Sequence, residues 1–315
     1  MNKKLYIKSI YLVTLGMLTS LSLPPFNYLI INFFTFSLLF LFLIKRSNKD
    51  IGKKFFFIYG WLFGFGYFVT NLYWISISLT FDQNFKFLIP LTVIIIPSFL
   101  AIFYGLISYF FLILKPKKII TSFLIFSLIF GILEFVRGSI LTGFPWNLIA
   151  YSFSNQLQIL SITSIIGTYG FNLLCVSLFT CPAILILRHS KINFIFCIFL
   201  IFIFISTYFF GLFNKTKFEN ASIETYDFKI RVIGSNISLD RFYSNIGPAS
   251  IIEELIKISD PQTSEKTIFV WPEGIIPQIS QKELNSYYSL FKNHFNENHL
   301  LVVGINSKSS LNESK

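Results

Sequence analysis

The chain has 315 residues and a formal net charge of +11, and hydrophobic residues make up 54% of it. This fraction is too high for an ordinary soluble domain and indicates a membrane protein. The positive charge belongs to the apolar part, since residues 1–213 carry 15 Lys and Arg against 3 Asp and Glu, so it does not indicate a nucleic-acid-binding surface. The three cysteines, Cys175, Cys181 and Cys197, form neither a disulfide framework nor a metal-binding pattern, and no motif indicates a cofactor.

Seven apolar segments in the first two thirds of the chain are predicted to be membrane spans. They cover residues 9–23, 27–44, 55–80, 87–114, 119–136, 157–187 and 192–213. The first is short and follows a basic start, as a signal peptide would, but Leu23-Pro24-Pro25 lacks the small-residue cleavage pattern. Because a second apolar run follows at once, the pattern favours a helical hairpin and a seven-span domain over residues 1–213.

The basic residues fall on alternate loops of this domain. Segment one follows Lys3, Lys4 and Lys8, and between segments two and three lie Lys45, Arg46, Lys49, Lys53 and Lys54. Between segments four and five lie Lys115, Lys117 and Lys118, and between segments six and seven lie Arg188 and Lys191. The intervening loops hold only Lys86 and Arg137. Cytoplasmic loops carry such an excess. We therefore predict a cytoplasmic N-terminus and an extracytoplasmic segment 214–315.

Three glycines interrupt the aromatic run from Gly60 to Gly66 in the third segment. Small residues let helix backbones approach closely, so helix packing is the favoured interpretation of these glycines. Asn71, Tyr73 and Trp74 follow, and the two aromatic residues are typical of a membrane–water interface.

An acidic and a basic residue, Glu134 and Arg137, lie three residues apart near the outer end of the fifth segment. This spacing allows an ion pair on one helix face. An acid inside a membrane is a functional candidate, whereas an ion pair that anchors the following loop is an equally good interpretation. That loop, Leu141-Thr-Gly-Phe-Pro-Trp-Asn147, is predicted to form a re-entrant lip in the interface.

After residue 214 the composition becomes polar and the periodicity changes. Predicted strands cover residues 229–234, 267–271 and 300–304, and predicted helices cover residues 251–257 and 281–296. This alternation predicts a parallel sheet with helices packed over it. About a hundred residues are enough for part of a two-layer domain. The fold class predicted for the whole chain is therefore a multi-span α-helical membrane bundle followed by a partial α/β domain.

The middle predicted strand ends in Trp271-Pro272-Glu273. Because proline cannot continue the strand, Glu273 is predicted to emerge on a turn at its carboxyl end, where open α/β sheets bind ligands. Apolar neighbours on both sides predict an apolar setting, which suits a general base. A solvated glutamate at a strand end is the alternative interpretation.

Taken together, these motifs resemble the bacterial apolipoprotein N-acyltransferase family. The resemblance runs nearly from end to end of the chain. It rests on Leu23-Pro-Pro-Phe-Asn27, Gly64-Phe-Gly66 with Asn71 and Trp74, Glu134-Phe-Val-Arg-Gly138, Leu141-Thr-Gly-Phe-Pro-Trp146, and Trp271-Pro-Glu273 followed by Pro277. A lone Trp-Pro-Glu would be weak, but these motifs in this order are specific.

The resemblance implies a nitrilase-like (carbon–nitrogen hydrolase) domain on the periplasmic side of the bacterial inner membrane. It also implies acyl transfer from a phospholipid to the N-terminal diacylglyceryl-cysteine of a lipoprotein, through a Glu-Lys-Cys triad. In that triad Cys attacks the ester, Glu takes the thiol proton and Lys stabilises the oxyanion. Glu273 matches the general base. Trp271, Pro272, Trp146, Glu134 and Arg137 match positions that bind substrate or support the site.

The sequence departs from the family at the other two triad positions. The family's Lys and Cys lie on later strands, Lys282, Lys292 and Lys308 lie in no matching motif, and Arg241-Phe242 stands where Lys-Trp is common. One hypothesis is an acyltransferase completed by a separately encoded C-terminal half. The alternative is a truncated or degenerate non-catalytic membrane protein of the same family. A transporter is disfavoured, because only Glu134 and Arg137 approach the charged broken helices that it needs.

Overall fold

The computed structural model describes residues 3–49, 52–141, 143–222, 225–234, 246–276 and 279–307. The chain divides into two compact units, Met1–Ala221 and Ser222–Lys315. The predicted boundary at residue 213 lies inside the last helix of the first unit, which continues to Glu219. That helix continues beyond its apolar run because Lys215, Lys217 and Glu219 are good helix formers and Lys215 forms an ion pair with Glu219, one turn away.

The first unit is an α-helical bundle. Its helices are α1 (Lys3–Ser20), α2 (Ile30–Ser47), α3 (Lys53–Leu72), α4 (Ile89–Leu114), α5 (Ile119–Ser139), the single turn α6 (Leu157–Leu160), α7 (Thr163–Leu187) and α8 (Lys191–Glu219). Three 3₁₀ segments, Tyr73–Thr80, Gln83–Leu88 and Ile149–Phe153, connect them. Each predicted span therefore corresponds to a helix, and the sixth is interrupted twice, between α6 and α7 and again at Gly167 within α7.

Among the described residues, six helices are long and apolar enough to cross a membrane. The first of these six helices is α2, and α1 is not among them. Lysines at positions 3, 4 and 8 make α1 less apolar than the others. It nevertheless packs along α3, since a Cβ added to Gly16 would lie 2.0 Å from the carbonyl oxygen of Phe63.

Two hydrogen-bonded loop pairs show that alternate loops meet at the same end of the bundle. Lys115, after α4, donates to the Ser47 hydroxyl (2.6 Å) and to the Asn48 side-chain oxygen (2.9 Å), after α2. At the other end, the Ser154 hydroxyl lies 3.3 Å from the side-chain oxygen of Asn27. The basic loops after α2 and α4 thus share one end.

The bundle core is aromatic, and glycines bring its backbones together. Phe36 contacts Phe130, with ring centroids 5.5 Å apart, and Phe130 contacts Tyr104 at 5.1 Å. A Cβ on Gly66 would lie 2.1 Å from the carbonyl oxygen of Val13, far inside van der Waals contact. The predicted packing role of the glycines is therefore confirmed.

The second unit contains a three-stranded parallel sheet in the order β1 (Lys229–Val232), β2 (Thr267–Val270), β3 (His299–Val302). Helix α9 (Pro248–Ser259) follows β1, and α10 (Gln281–Leu284), a 3₁₀ turn (Asn285–Tyr287) and α11 (Tyr288–His294) follow β2. The predicted β-α-β-α-β order is confirmed. The core lies on one face, between β2 and apolar residues of α9 and α11.

The opposite face of this sheet is apolar and uncovered within the described residues. Ile268 pairs with Ile230 on one side and Leu300 on the other, and Val270 pairs likewise with Val232 and Val302, so these side chains form two rows on one face. The four on the outer strands are exposed. Right-handed crossovers place both connections on the other side, which leaves this face bare.

Candidate functional site

The last turns of α5 carry a buried ion pair. Glu134 and Arg137 are both about 1% exposed, and the Nη2 of Arg137 donates to Oε2 of Glu134. Their spacing of three residues puts both on one helix face. The guanidinium also lies 5.3 Å from the ring centroid of Phe68 on α3, so its surroundings are apolar. A charge in such surroundings is stable only when it is paired.

The same guanidinium holds the segment Gly143–Trp146, which we call the lip. Its Nη1 donates to the carbonyl oxygens of Phe144 (2.7 Å) and Trp146 (3.0 Å). The backbone N–H of Phe144 donates in turn to the carbonyl of Arg137 at 3.1 Å. Gly143 has φ = +73°, a conformation that favours glycine, and this turns the chain back over the end of α5.

Two aromatic side chains, one on α3 and one on the 3₁₀ segment that follows it, contact the lip and the residue after it. The Tyr67 hydroxyl donates to the carbonyl of Asn147 at 2.7 Å. The rings of Trp74 and Trp146 stack with centroids 5.7 Å apart, and both are partly exposed. Sequence reasoning assigned Trp74 to an aromatic belt and did not find Tyr67. The hydroxyl on an otherwise apolar helix was the one available signal for Tyr67.

These contacts favour one of the two interpretations of the charged pair. Arg137 makes its hydrogen bonds to Glu134 and to the lip carbonyls, so the pair anchors the loop that follows it. Glu134 keeps one oxygen, Oε1, without a hydrogen-bond partner among the described residues. The structure therefore brings Glu134, Arg137 and Trp146 together as one cluster.

In the second unit, Trp271 fixes the turn that follows β2. Its backbone N–H donates to the carbonyl of Val302 at 2.9 Å. Its buried indole Nε1 donates to the Ser259 hydroxyl, also at 2.9 Å, and its ring packs on Phe291 with centroids 5.8 Å apart. Trp271 thus joins the sheet to α9 and α11, directly before the turn that carries Glu273.

Glu273 lies beyond the carboxyl end of the middle strand, on the predicted turn, and its side chain is exposed. The prediction that Glu273 lies in an apolar setting is wrong, because its side chain is exposed. Ile275 and Ile276 point into the core, whereas Gly274, at φ = +67°, lets the tight turn direct Glu273 outward. Gly304, after β3, lies beneath it, since an added Cβ would be 2.8 Å from the Cα of Glu273. Sequence reasoning treated Gly304 only as a strand end.

The remaining sequence candidates do not join either cluster. Cys175, Cys181 and Cys197 are buried in α7 and α8, and the Sγ of Cys197 lies 3.6 Å from the carbonyl oxygen of Cys181. Lys282 and Lys292 are exposed on α10 and α11. Pro277, Lys308 and Arg241-Phe242 lie outside the described residues. Within the described part of the chain, no group of three His, Cys, Asp or Glu residues is arranged to hold a metal.

Known proteins resemble this chain over most of its length. Apolipoprotein N-acyltransferases of Rhodopseudomonas palustris and Brucella melitensis are each 29% identical to it, over 283 and 275 residues. These matches cover 86% and 84% of this chain but 52% and 51% of the relatives. The protein of the same name from Allorhizobium ampelinum is 34% identical over 189 residues, 58% of this chain and 36% of the relative. The chain therefore spans about half the length of the curated relatives it matches.

The model of the apolipoprotein N-acyltransferase N-terminal domain matches residues 15–181, which is more than half of the chain. This range contains the three glycines of α3, the Glu134–Arg137 pair and the lip. From these matches and the helical bundle that carries them, the chain belongs to the apolipoprotein N-acyltransferase family.

Proposed function

We propose that this chain supplies the membrane bundle and the first part of a nitrilase-like domain of an N-acyltransferase. The reaction moves an acyl chain from a phospholipid to the N-terminal diacylglyceryl-cysteine of a lipoprotein. The observation that carries the proposal is Glu273, which follows the middle strand of a parallel sheet in a chain of this family. That edge is where α/β sheets hold their reacting groups.

In this proposal Glu273 is the general base. It takes the proton of a cysteine thiol as the sulfur attacks the phospholipid ester, which forms a thioester and releases the lysophospholipid. A lysine stabilises the oxyanion, and the lipoprotein amine then displaces the thiol. The exposed position of Glu273 suits a base that has to meet groups from another stretch of polypeptide.

The cysteine and lysine come from polypeptide beyond this chain in the proposed enzyme. Residues 214–315 contain no cysteine, and the relatives are about twice as long as the matched region. The uncovered sheet face supports the proposal that a further polypeptide segment packs on it, because parallel sheets are normally covered on both faces. Ile230, Val232, Leu300 and Val302 are the exposed residues that such a partner would bury. We propose that the C-terminal half of the family's domain provides this cover.

The orientation proposed for the enzyme follows from the basic loops. Lys115 and Asn48 meet at one end of the bundle, which is the end with the lysine clusters. That end is proposed to face the cytoplasm, with residues 214–315 in the periplasm of a bacterium and the bundle in its inner membrane.

A second candidate is a non-catalytic lipid-binding membrane protein of the same family. The exposed indole of Trp146 on the lip favours it, since tryptophan side chains of this kind lie at the level of the lipid headgroups. In this candidate the bundle and its lip keep their lipid contacts and no thioester forms.

The test combines this chain with the half of the R. palustris protein that it does not match. Both are incubated with a phospholipid that carries a labelled acyl chain, and hydroxylamine-sensitive acyl-protein adducts are measured. We expect an adduct on the added half when both are present, and none on this chain alone. A pair that co-purifies but forms no adduct would favour the non-catalytic candidate. An adduct on this chain alone would show that a bundle cysteine is reached and would refute the assignment of the nucleophile.

A further inference from the structure

Two 3₁₀ segments, Tyr73–Thr80 and Gln83–Leu88, join α3 to α4 at the end of the bundle away from the basic loops. They contact each other and α4, and we call residues 73–88 the connecting segment. Helix α3 has 20 residues, so it is about 30 Å long, which is the thickness of the hydrocarbon core of a bilayer. The connecting segment therefore begins where the membrane meets water.

The connecting segment is apolar although none of the residues in its two 3₁₀ segments is buried. Its large apolar side chains are between 37% and 75% exposed: Tyr73, Trp74, Ile77, Phe81, Phe85 and Phe87. A continuous apolar patch of this kind is rare on a surface that faces water. The patch continues the lipid-facing surface of the helices on either side, so lipid is the surrounding that suits it.

The hydroxyl groups of the first 3₁₀ segment bond to its own backbone. Each donates to the carbonyl three residues earlier, at 2.6–2.7 Å: Ser76 to Tyr73, Ser78 to Ile75 and Thr80 to Ile77. Residues three apart eclipse each other in a 3₁₀ helix, so these bonds form locally. Ser78 and Thr80 are exposed, yet their hydroxyls do not depend on water for a hydrogen bond.

The turn between the two 3₁₀ segments is polar. Asp82 caps the second segment by accepting a hydrogen bond from the backbone N–H of Asn84 at 2.8 Å. Asn84 and Lys86 are exposed. Charged side chains are costly in the interior of a bilayer, which keeps this turn out of the hydrocarbon. Apolar aromatic sides with a polar turn are typical of a segment that lies in the lipid–water interface.

The connecting segment also contacts the lip. Trp74 lies in its first turn, and its ring stacks on that of Trp146 with centroids 5.7 Å apart. We propose that residues 73–88 lie along the lipid–water interface and that Trp74 holds the lip at the depth of the lipid headgroups. The partner of this surface is the bilayer itself. The proposal requires neither a bound substrate nor acyl transfer.

The depth of the connecting segment is measured with spin labels in vesicles of phosphatidylethanolamine and phosphatidylglycerol. Single cysteines replace Ile77 or Phe87 in the full chain, whose three native cysteines are changed to alanine. Phe202, in the middle of α8 and 62% exposed, provides the hydrocarbon reference, and the exposed Ser264 provides the water reference. Collision rates with oxygen and with a water-soluble nickel chelate give the depth of each label.

We expect the labels at Ile77 and Phe87 to lie between the two references, at the level of the headgroups. Rates equal to those at Ser264 would make the connecting segment a loop in water and overturn the proposal. Rates equal to those at Phe202 would also overturn it, because the segment would then continue the membrane spans into hydrocarbon.

The hold on the lip is tested by Trp74→Ala. Loss of one aromatic stack should speed hydrogen exchange at the amide of Phe144 by roughly two- to tenfold. Tyr73→Ala is the matched control, since Tyr73 is adjacent, 61% exposed and forms no ring contact within the described part of the chain. An equal effect of the two substitutions would refute the role of Trp74.

A labelling measurement on the wild-type chain removes any dependence on how the variants fold. Phospholipids carry a photoreactive group either at the headgroup or in the middle of an acyl chain. Peptides from residues 73–88 should react more with the headgroup reagent, and peptides from the middle of α8 more with the acyl-chain reagent. The same preference in both regions would refute the interfacial depth. Because no transfer is measured, failure here is distinguishable from failure of the proposed acyltransferase activity.

Discussion

Replacement of Arg137 by alanine should destabilise the bundle and release the lip. The substitution leaves the Glu134 carboxylate buried without its partner, at about 1% exposure. Breaking a buried ion pair in this way typically costs about 3–5 kcal/mol. The same change removes the two donors to the carbonyls of Phe144 and Trp146. We therefore expect a loss of roughly 3–5 kcal/mol in the free energy of unfolding, measured by denaturant titration in mixed micelles.

A double variant separates the anchoring of the lip from the charge balance. Glu134→Leu with Arg137→Met removes both charges and fills a similar volume with apolar side chains. Such a replacement of a buried ion pair often leaves the free energy of unfolding unchanged or raises it. It should regain most of the stability but leave the lip carbonyls without their donor. Hydrogen exchange of the amides of Gly143 and Phe144 reports the lip directly, since these amides donate to the carbonyls of Ile140 and Arg137 at the end of α5. We expect faster exchange at these two amides in both variants.

The exposed pair on α8 provides the control. Lys215 and Glu219 are 3.7 Å apart and more than half exposed, so Lys215→Ala should change the stability by less than about 1 kcal/mol. A similarly small effect of Arg137→Ala would refute the reasoning that the inner pair is buried and charged. Wild-type exchange at Gly143 and Phe144 in the double variant would refute the anchoring role of Arg137.

Three further predictions concern orientation, chemistry and packing. Of single cysteines placed at Asn48 and Ser264, only the second should be labelled by an impermeant reagent added outside the cell, because the basic loops face inward. In an enzyme completed with the missing Lys and Cys, Glu273→Gln should lower acyl transfer by about 10²–10⁴-fold with an unchanged unfolding midpoint, because the amide cannot take the proton. Gly66→Leu should lower the free energy of unfolding by roughly 1–3 kcal/mol or more, because its Cβ would meet the backbone of Val13.

Each of these three predictions has an outcome that would contradict it. Labelling at position 48 and not at 264 would reverse the orientation, and wild-type turnover in Glu273→Gln would make that residue a solvated glutamate at a strand end. Gly52→Ala is the control for packing, since nothing lies within 4 Å of its added Cβ and the change should stay within about 0.5 kcal/mol. An equal effect of the Gly52 and Gly66 substitutions would contradict the close approach of α1 and α3.

The sequence by itself determined the order and type of nearly all the elements described. Runs of apolar residues long enough to span a membrane correspond to helices, because in hydrocarbon a chain must satisfy its hydrogen bonds internally. Alternating helical and strand periodicity likewise predicted the parallel sheet, from Lys229 to Val302. These patterns are local, so they can be recognised without knowledge of distant contacts. The apolar run predicted for the last span ends at residue 213, whereas α8 continues to Glu219, because helix propensity extends it beyond that run.

Only the tertiary structure decided what the charged and polar residues do. The spacing of Glu134 and Arg137 allowed a pair, but the two lip carbonyls that Arg137 binds and the hydroxyl of Tyr67 come together through the fold of the loop and the packing of α3. The exposure of Glu273 depends on a backbone turn at Gly274 and on Gly304, thirty-one residues away in the chain. Each of these features arises from contacts between distant residues, which periodicity and composition do not encode.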